Sequence, residues 1–332
     1  MILISKDYEV LLTYSPISEV TGHIYEVFEY YLVLRKYFRT AMFFHAPTIS
    51  KERILNSLRD KYSVPWESYA QDFYHSDRVE RIIGAESCVT ILCDGNIKSL
   101  WDSCIVLATP VLLGFRCGNY DFNSVCVETS LYNNFTFLQD YRVYARNSEP
   151  QGCPFLTIDY RKKFNFSAFR RPEDCVCSTD TALLYLTRNC RYMSPSGVRE
   201  VMEAFPHDRY LILTPTPDEY DVLKSSRVRV VQPPVYPFFK SFSTYIYTPI
   251  PRRFDCSPRL ITECAYYGKP VQYFLDEDYQ DVGLQVRRRD IESKDGLRSL
   301  TLKDDDRIVD IVSAYRGSIS PALRKESQDE VH

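Results

Sequence analysis

Glycine is scarce. The 332 residues include 11, about 3%, against the ~7% usual in globular chains. So little bare backbone leaves few ways to cradle phosphate, and neither GxxxxGK(S/T) nor GxGxxG occurs. P-loop ATPases, protein kinases and ordinary dinucleotide dehydrogenases are thereby disfavoured. No apolar run approaches the ~18–20 residues that cross a bilayer. Met1 to Lys6 lacks the basic-then-apolar pattern of a secretory signal. The expected location is the cytoplasm, with no membrane partner. An excess of one charge is also missing. Lys+Arg is 41 and Asp+Glu 44, a net −3, so any nucleic-acid footprint must be local. The 11 cysteines form no C-x-x-C. Cys175 and Cys177 alone lie close, too little for the paired spacings of a zinc site. The cysteines read as reduced, mostly buried hydrophobes.

What is present is ample core material. Hydrophobic residues make up 45%, charged residues 26%, and there are 26 Tyr and 19 Phe. A disordered chain is excluded, and the length suggests two domains. Short apolar runs alternate with helix-compatible stretches. Tyr8 to Tyr14, Thr40 to His45, Ser87 to Cys93, Pro110 to Phe115 and Phe135 to Asp140 read as strands. Ile24 to Arg39 reads as an amphipathic helix, and Ser50 to Tyr62 as a helix capped by Ser50. In the second half, Ala182 to Thr187, Tyr210 to Thr214, Val228 to Gln232, Thr244 to Thr248 and Val271 to Leu275 read as strands. Ser196 to Phe205, Pro217 to Lys224 and Ser257 to Tyr267 read as the helices between them. The strand runs are nearly continuous, as in parallel strands buried on both faces. The expected fold is α/β, two doubly wound Rossmann-like domains facing a cleft. Their expected extents are 1–165 and 166–302. Residues 303–332 supply a C-terminal helix and tail packing back on the first domain.

The segment 244–275, TYIYTPIPRRFDCSPRLITECAYYGKPVQYFL, concentrates the chemistry. A strand ends near Thr248, a proline-broken loop follows, and Ser257-Pro258 suits an N-cap and first helical position. The free N–H groups of such a helix start attract an anion such as a diphosphate. Arg259 adds a forked cation in the first turn. Glu263, four residues on, shares its face and offers a carboxylate for a vicinal diol. The same spacing also makes a plain structural ion pair. Arg188 and Arg191 follow the first strand of this domain, where parallel strands present their carboxyl ends on one rim. They could neutralise a leaving diphosphate, or be solvated.

SPRLITECAYYGKPV resembles the sugar-nucleotide segment of GT-B glycosyltransferases. The resemblance implies that Ser257, Arg259, Arg188 and Arg191 hold the diphosphate and Glu263 the sugar or ribose hydroxyls. The usual glycine before the strand-end arginine is absent. In the first domain, Gly22-His23 resembles the opening of the acceptor-side helix of that family. Glu19 and His23 would point towards the acceptor, with His23 as base or hydrogen-bond donor. Glu19 and Thr21 equally suit a helix cap, with His23 as a first-turn surface residue. FLQDYRVY, residues 137–144, is similar to the strand-end Asp-x-Arg of phage DNA-base glucosyltransferases, which implies Asp140 as general base and Arg142 as an acceptor contact.

The D-x-D at Asp276 to Asp278 comes too late in the chain for the metal motif of GT-A enzymes and reads as an acidic turn. No metal and no tightly bound cofactor are expected. The resemblance implies transfer of a hexose or pentose from a nucleoside diphosphate sugar, UDP-linked, to a hydroxyl. The favoured acceptor is a hydroxymethylated pyrimidine in double-stranded phage DNA, in the host cytoplasm. Its local footprint would be the interleaved cations and rings of Tyr160 to Phe164 and Phe169 to Arg171, with Arg252-Arg253 and Arg287 to Arg289 as two more patches. A lipid, protein or saccharide acceptor is the rival, and a non-catalytic α/β binding module the alternative class.

Overall fold

The structure, a computed structural model, describes residues 2–3, 8–14, 20, 22–76, 82–83, 88–92, 111–113, 137–139, 155–158, 164–186, 194–248, 259–274, 296–299, 301, 308–314 and 316–317. The chain divides into two compact units. The first comprises Met1–Ile54, Pro65–Asn165 and Leu302–His332, and the second Leu55–Val64 and Phe166–Thr301.

The first unit carries a seven-stranded parallel sheet. Its strands are β2 (Val10–Tyr14), β3 (Thr40–His45), β4 (Phe73–Ser76), β6 (Val89–Leu92), β7 (Val111–Leu113), β8 (Phe137–Gln139) and β9 (Phe155–Ile158), in the order β4-β3-β2-β6-β7-β8-β9. Two short strands, β1 (Ile2–Leu3) and β5 (Ile82–Ile83), pair separately in parallel. All five residues of β2 and all six of β3 are buried, which is why these runs show no polar alternation. The order reverses between β2 and β6. At such a switch point the connections leave on opposite faces and open a crevice at the carboxyl edge.

Helix α1 (Gly22–Leu34) follows β2. Its residues Ile24 to Leu34 are all buried, Glu26 and Glu29 included. The sequence suggests one apolar stripe extending to Arg39, but the helix ends at Leu34 and is enclosed on all sides. The cause is tertiary. Phe28 stacks on Trp66 at 5.2 Å, and Glu29 Oε2 accepts from the Asn165 backbone at 2.9 Å. Near the end of the chain, Ile308, Ile311 and Val312 are buried, and Arg316 Nη1 lies 2.7 Å from Glu9 Oε1.

Helix α2 (Lys51–Lys61) starts in the first unit and ends in the second. Ser50 Oγ accepts from the Arg53 N–H at 3.2 Å, the cap its sequence indicates. At the other end, Arg170 Nη2 donates to the Arg59 carbonyl at 2.7 Å, placing a cation where the helix dipole is negative.

The second unit holds a five-stranded parallel sheet of β10 (Thr181–Tyr185), β11 (Arg209–Leu213), β12 (Val228–Val231), β13 (Thr244–Tyr247) and β14 (Val271–Tyr273), in the order β12-β11-β10-β13-β14. All five coincide with apolar runs of the sequence. Helix α3 (Pro195–Ala204) is capped by Ser194 and buries Val198 and Val201 against Leu184 and Ile212. Residues Pro217–Leu223 form a 3-10 helix rather than an α-helix. Helix α4 (Arg259–Tyr266) ends in a Schellman turn. Gly268 has φ +67°, its N–H donates to the Ala265 carbonyl at 3.2 Å, and the Lys269 N–H donates to Cys264 at 2.8 Å. Glycine adopts this left-handed conformation without steric cost. Lys269 Nζ then donates to the Cys175 and Phe242 carbonyls at 2.9 and 2.7 Å, fixing the entry to β14.

Near the start of β10 and β11, His207 Nδ1 lies 2.6 Å from Asp180 Oδ1 and Nε2 lies 3.0 Å from Gln272 Oε1. Burial pushes the imidazole down, but the Gln272 and Asp180 hydrogen bonds and the Asp180 and Asp208 charges outweigh it. The imidazole titrates above its ordinary 6.5. The His207 hydrogen bond holds Asp180 below its ordinary 3.8. A raised histidine stabilises the fold fully below its unfolded value and loses that contribution as pH rises through the folded one. A depressed aspartate stabilises above its unfolded value and loses it as pH falls through the folded one. The pair therefore favours mildly acidic pH. Asp180→Asn is expected to lower the His207 midpoint in an imidazole NMR titration. An unmoved midpoint would show that Asp180 does not set it.

Candidate functional site

In the second unit, the switch point lies between β10 and β13. They are parallel neighbours, with Ala182 opposite Thr244 and Leu184 opposite Ile246. Their carboxyl ends, Tyr185 and Tyr247, therefore emerge side by side, about 5 Å apart. Thr248 after β13 is buried, and α4 begins at Arg259.

Arg259 and Glu263 come together there as the i, i+4 spacing predicts, but inside the protein. Arg259 is 7% exposed and Glu263 1%. Arg259 Nε donates to Glu263 Oε1 at 3.0 Å. Lys61 Nζ donates to the same oxygen at 2.7 Å, and the Tyr236 hydroxyl donates to Oε2. Burial pushes the Glu263 carboxyl up. The Lys61 and Arg259 charges, with the Lys61 and Tyr236 hydrogen bonds, outweigh that and hold it below the usual carboxylate range. A carboxylate offers about four lone-pair sites, and three donors already use this one. At most a single ligand hydroxyl can be added. Arg259 spends one of its five N–H donors on Glu263, which fixes the plane of the guanidinium.

Lys61 and Tyr236 escape a sequence reading. A lysine at a helix end reads as a solvated complement to the dipole. Tyr236 is one ring among 26 tyrosines, and nothing local marks either residue as a partner of Glu263.

In the first unit, His23 is the second residue of α1, which follows β2 at the switch point of the larger sheet. Its ring lies 5.5 Å from that of Tyr14, and its Nδ1 lies 3.7 Å from Glu26 Oε2. The His23 side chain is 19% exposed and that of Glu26 2%. Such a carboxylate can steady an imidazolium formed when the ring takes a proton. Glu26 was open to a sequence reading, three residues after His23 on one helical face. Glu19, Asp140, Arg142, Arg188, Arg191 and Ser257 lie outside the described residues. Strand β8, which Asp140 follows in sequence, is separated from β2 by β6 and β7, about 14 Å at the usual strand spacing.

Tyr160 to Lys163, Arg252-Arg253 and Arg287 to Arg289 lie outside the described residues, and the described rings around residue 165 pack as core instead of forming a stacking surface. Phe164, Phe166 and Phe169 are buried. Arg170 is engaged with the Arg59 carbonyl through Nε and Nη2. Cys175 and Cys177 are both free thiols. Among the described residues, no three His, Cys, Asp or Glu side chains group as metal ligands. No helix among them is long and apolar enough to cross a membrane.

No family model matches the chain, and no curated protein matches it. Solved structures are similar over nearly its whole length. A glycosyltransferase from Rickettsia africae has 10% identity and a TM-score of 0.45, covering 96% of this chain and 97% of that one. Anabaena HepE in complex with UDP and glucose has 9% identity and a TM-score of 0.49, covering 97% and 99%. Phytolacca americana UGT2, complexed with UDP-2fluoro-glucose and pterostilbene, has 10% identity and a TM-score of 0.39, covering 95% and 100%. The strand orders themselves define the fold class: α/β, with two doubly wound Rossmann-like units.

Proposed function

We propose that the chain is a glycosyltransferase of the GT-B kind, moving a sugar from a nucleoside diphosphate, UDP by preference, to a hydroxyl acceptor. The observation that carries this reading is the adjacency of β10 and β13 at the switch point, combined with Arg259 clamped to Glu263 in the first turn of α4. Adjacent strand exits suit joint phosphate recognition by Ser257 and Arg259 from one loop and Arg188 and Arg191 from the other. Positive groups fixed in advance stabilise the charge that builds on the leaving diphosphate without reorganising. Glu263 acts first by orienting Arg259, and its remaining lone pair allows one sugar or ribose hydroxyl contact.

On the acceptor side, His23 is the base that the geometry favours, with Glu26 supporting its charged form. Asp140, Glu19 and Arg142 stand as the alternatives from the sequence. No metal and no tightly bound cofactor enter this scheme. For the acceptor we keep the similarity of residues 137–144 to DNA-base glucosyltransferases, and so a hydroxymethylated pyrimidine in DNA. Saccharide, lipid and protein hydroxyls are the competing classes. The burial of Phe164 and Phe169 removes two rings from the surface that DNA would use.

Titration calorimetry with UDP tests the donor half. Binding by the wild type, weakened about 10- to 100-fold by Arg259→Ala, is the expected result, matching one charge-assisted hydrogen bond. Lack of binding by the wild type would favour a non-catalytic module. Radiolabelled UDP-sugars incubated with modified and unmodified DNA test the acceptor. Label on neither excludes DNA.

A further inference from the structure

We propose that Lys61, brought from the first fifth of the sequence, is a positioning residue for nucleotide binding: it keeps Glu263 ionised so that Glu263 can hold Arg259 in its binding orientation. The inference rests on the donor site proposed above and extends it to a residue 202 positions away from Glu263.

The arrangement is built in detail. Lys61 closes α2, and its surroundings fix the backbone on both sides. The Lys61 carbonyl accepts from the Arg170 N–H at 2.9 Å, and the Ser63 N–H donates to the Ala168 carbonyl at 2.8 Å. Tyr62 bridges to Phe169. The ammonium is fully buried and lies 4.3 Å from the Phe169 ring centre and 4.9 Å from those of Tyr62 and Tyr236. Three ring faces around a desolvated cation are favourable, but they cannot replace a counter-ion. That counter-ion is Glu263 Oε1, at 2.7 Å.

The same oxygen accepts from Arg259 Nε, so the three charges are coupled through one atom. Without the ammonium, burial opposes the Glu263 charge with only Arg259 and the Tyr236 hydroxyl to offset it, and the carboxyl titrates upward. A protonated Glu263 gives up its ion-paired grip on Arg259. A simple packing role for Lys61 would not link nucleotide affinity to pH.

The test is UDP affinity by calorimetry from pH 5.5 to 8 for the wild type, Lys61→Met, Lys61→Arg and Lys61→Met/Glu263→Gln. The ratio of wild-type to variant affinity at each pH cancels the ionisation of UDP itself. For Lys61→Met the ratio is expected to grow about tenfold or more as pH falls. Lys61→Arg, which retains the charge, is expected to bring it back towards one. The double variant removes carboxylate and ammonium together, so no charge is left uncompensated. It is expected to bind weakly with a ratio independent of pH, and it keeps the test decisive if Lys61→Met does not fold. A pH-independent ratio for Lys61→Met overturns the inference, as does a pH-dependent ratio for the double variant. Failure of the wild type to bind UDP overturns the donor site itself and the inference with it.

Discussion

Glu263→Ala is expected to destabilise the second unit by about 3–5 kcal/mol and to abolish nucleotide binding. The first effect follows from burial. Lys61 and Arg259 both bond to Glu263 Oε1 in a region where all three side chains are at most 7% exposed. Removing the carboxylate strands two buried cations, and breaking a buried pair from one side costs in this range. Loss of the Tyr236 hydroxyl partner adds to the penalty. The second effect follows from orientation, since Arg259 no longer has a fixed plane.

The pH dependence gives an independent check. The Glu263 carboxyl is held below its ordinary 4.5 in the fold. It therefore stabilises the protein above that value, and the contribution fades as pH falls through the folded one. Urea unfolding at neutral and acid pH is the measurement. The stability difference between wild type and Glu263→Ala is expected to narrow in acid. A difference below about 1 kcal/mol at neutral pH would mean that the cluster contributes far less than its geometry implies.

His23→Ala is expected to lower turnover about 10²–10⁴-fold, the usual weight of a general base, with UDP affinity unchanged. His23 belongs to the first unit and the proposed donor groups to the second, so the substitution separates the proposed chemistry from donor binding. Glu26→Gln is expected to give a smaller loss, because it removes support for the charged imidazole while leaving the base in place. Initial rates with saturating donor decide the matter. A large loss in Asp140→Asn with none in His23→Ala would transfer the role to Asp140, the residue the sequence favours.

Much of the fold was legible because parallel strands buried on both faces must be continuous apolar runs. TAMFFH, residues 40–45, and TYIY, residues 244–247, are strands of that kind. Helix limits were legible where a cap marks them, as at Ser50, or where a glycine takes the left-handed turn, as at Gly268. β4 and β9 were missed, since FYHS and FLTI are short and mix polar with apolar residues. The stripe assigned to α1 failed because periodicity reports only the face that needs burial. It cannot report that Trp66 and the chain around Asn165 will cover the remainder.

The division at the site has the same origin. The sequence by itself determined the α/β class and the strand–loop–helix–strand unit around residue 260. It also determined the Arg259–Glu263 pairing, because each depends on spacings within one or two turns. Only tertiary structure decided that this pair is buried, that Lys61 and Tyr236 complete it, and that the phenylalanines near residue 166 are core. Those outcomes depend on which distant segments exclude water from a group. Desolvation is a property of the packed chain and leaves no mark in local order.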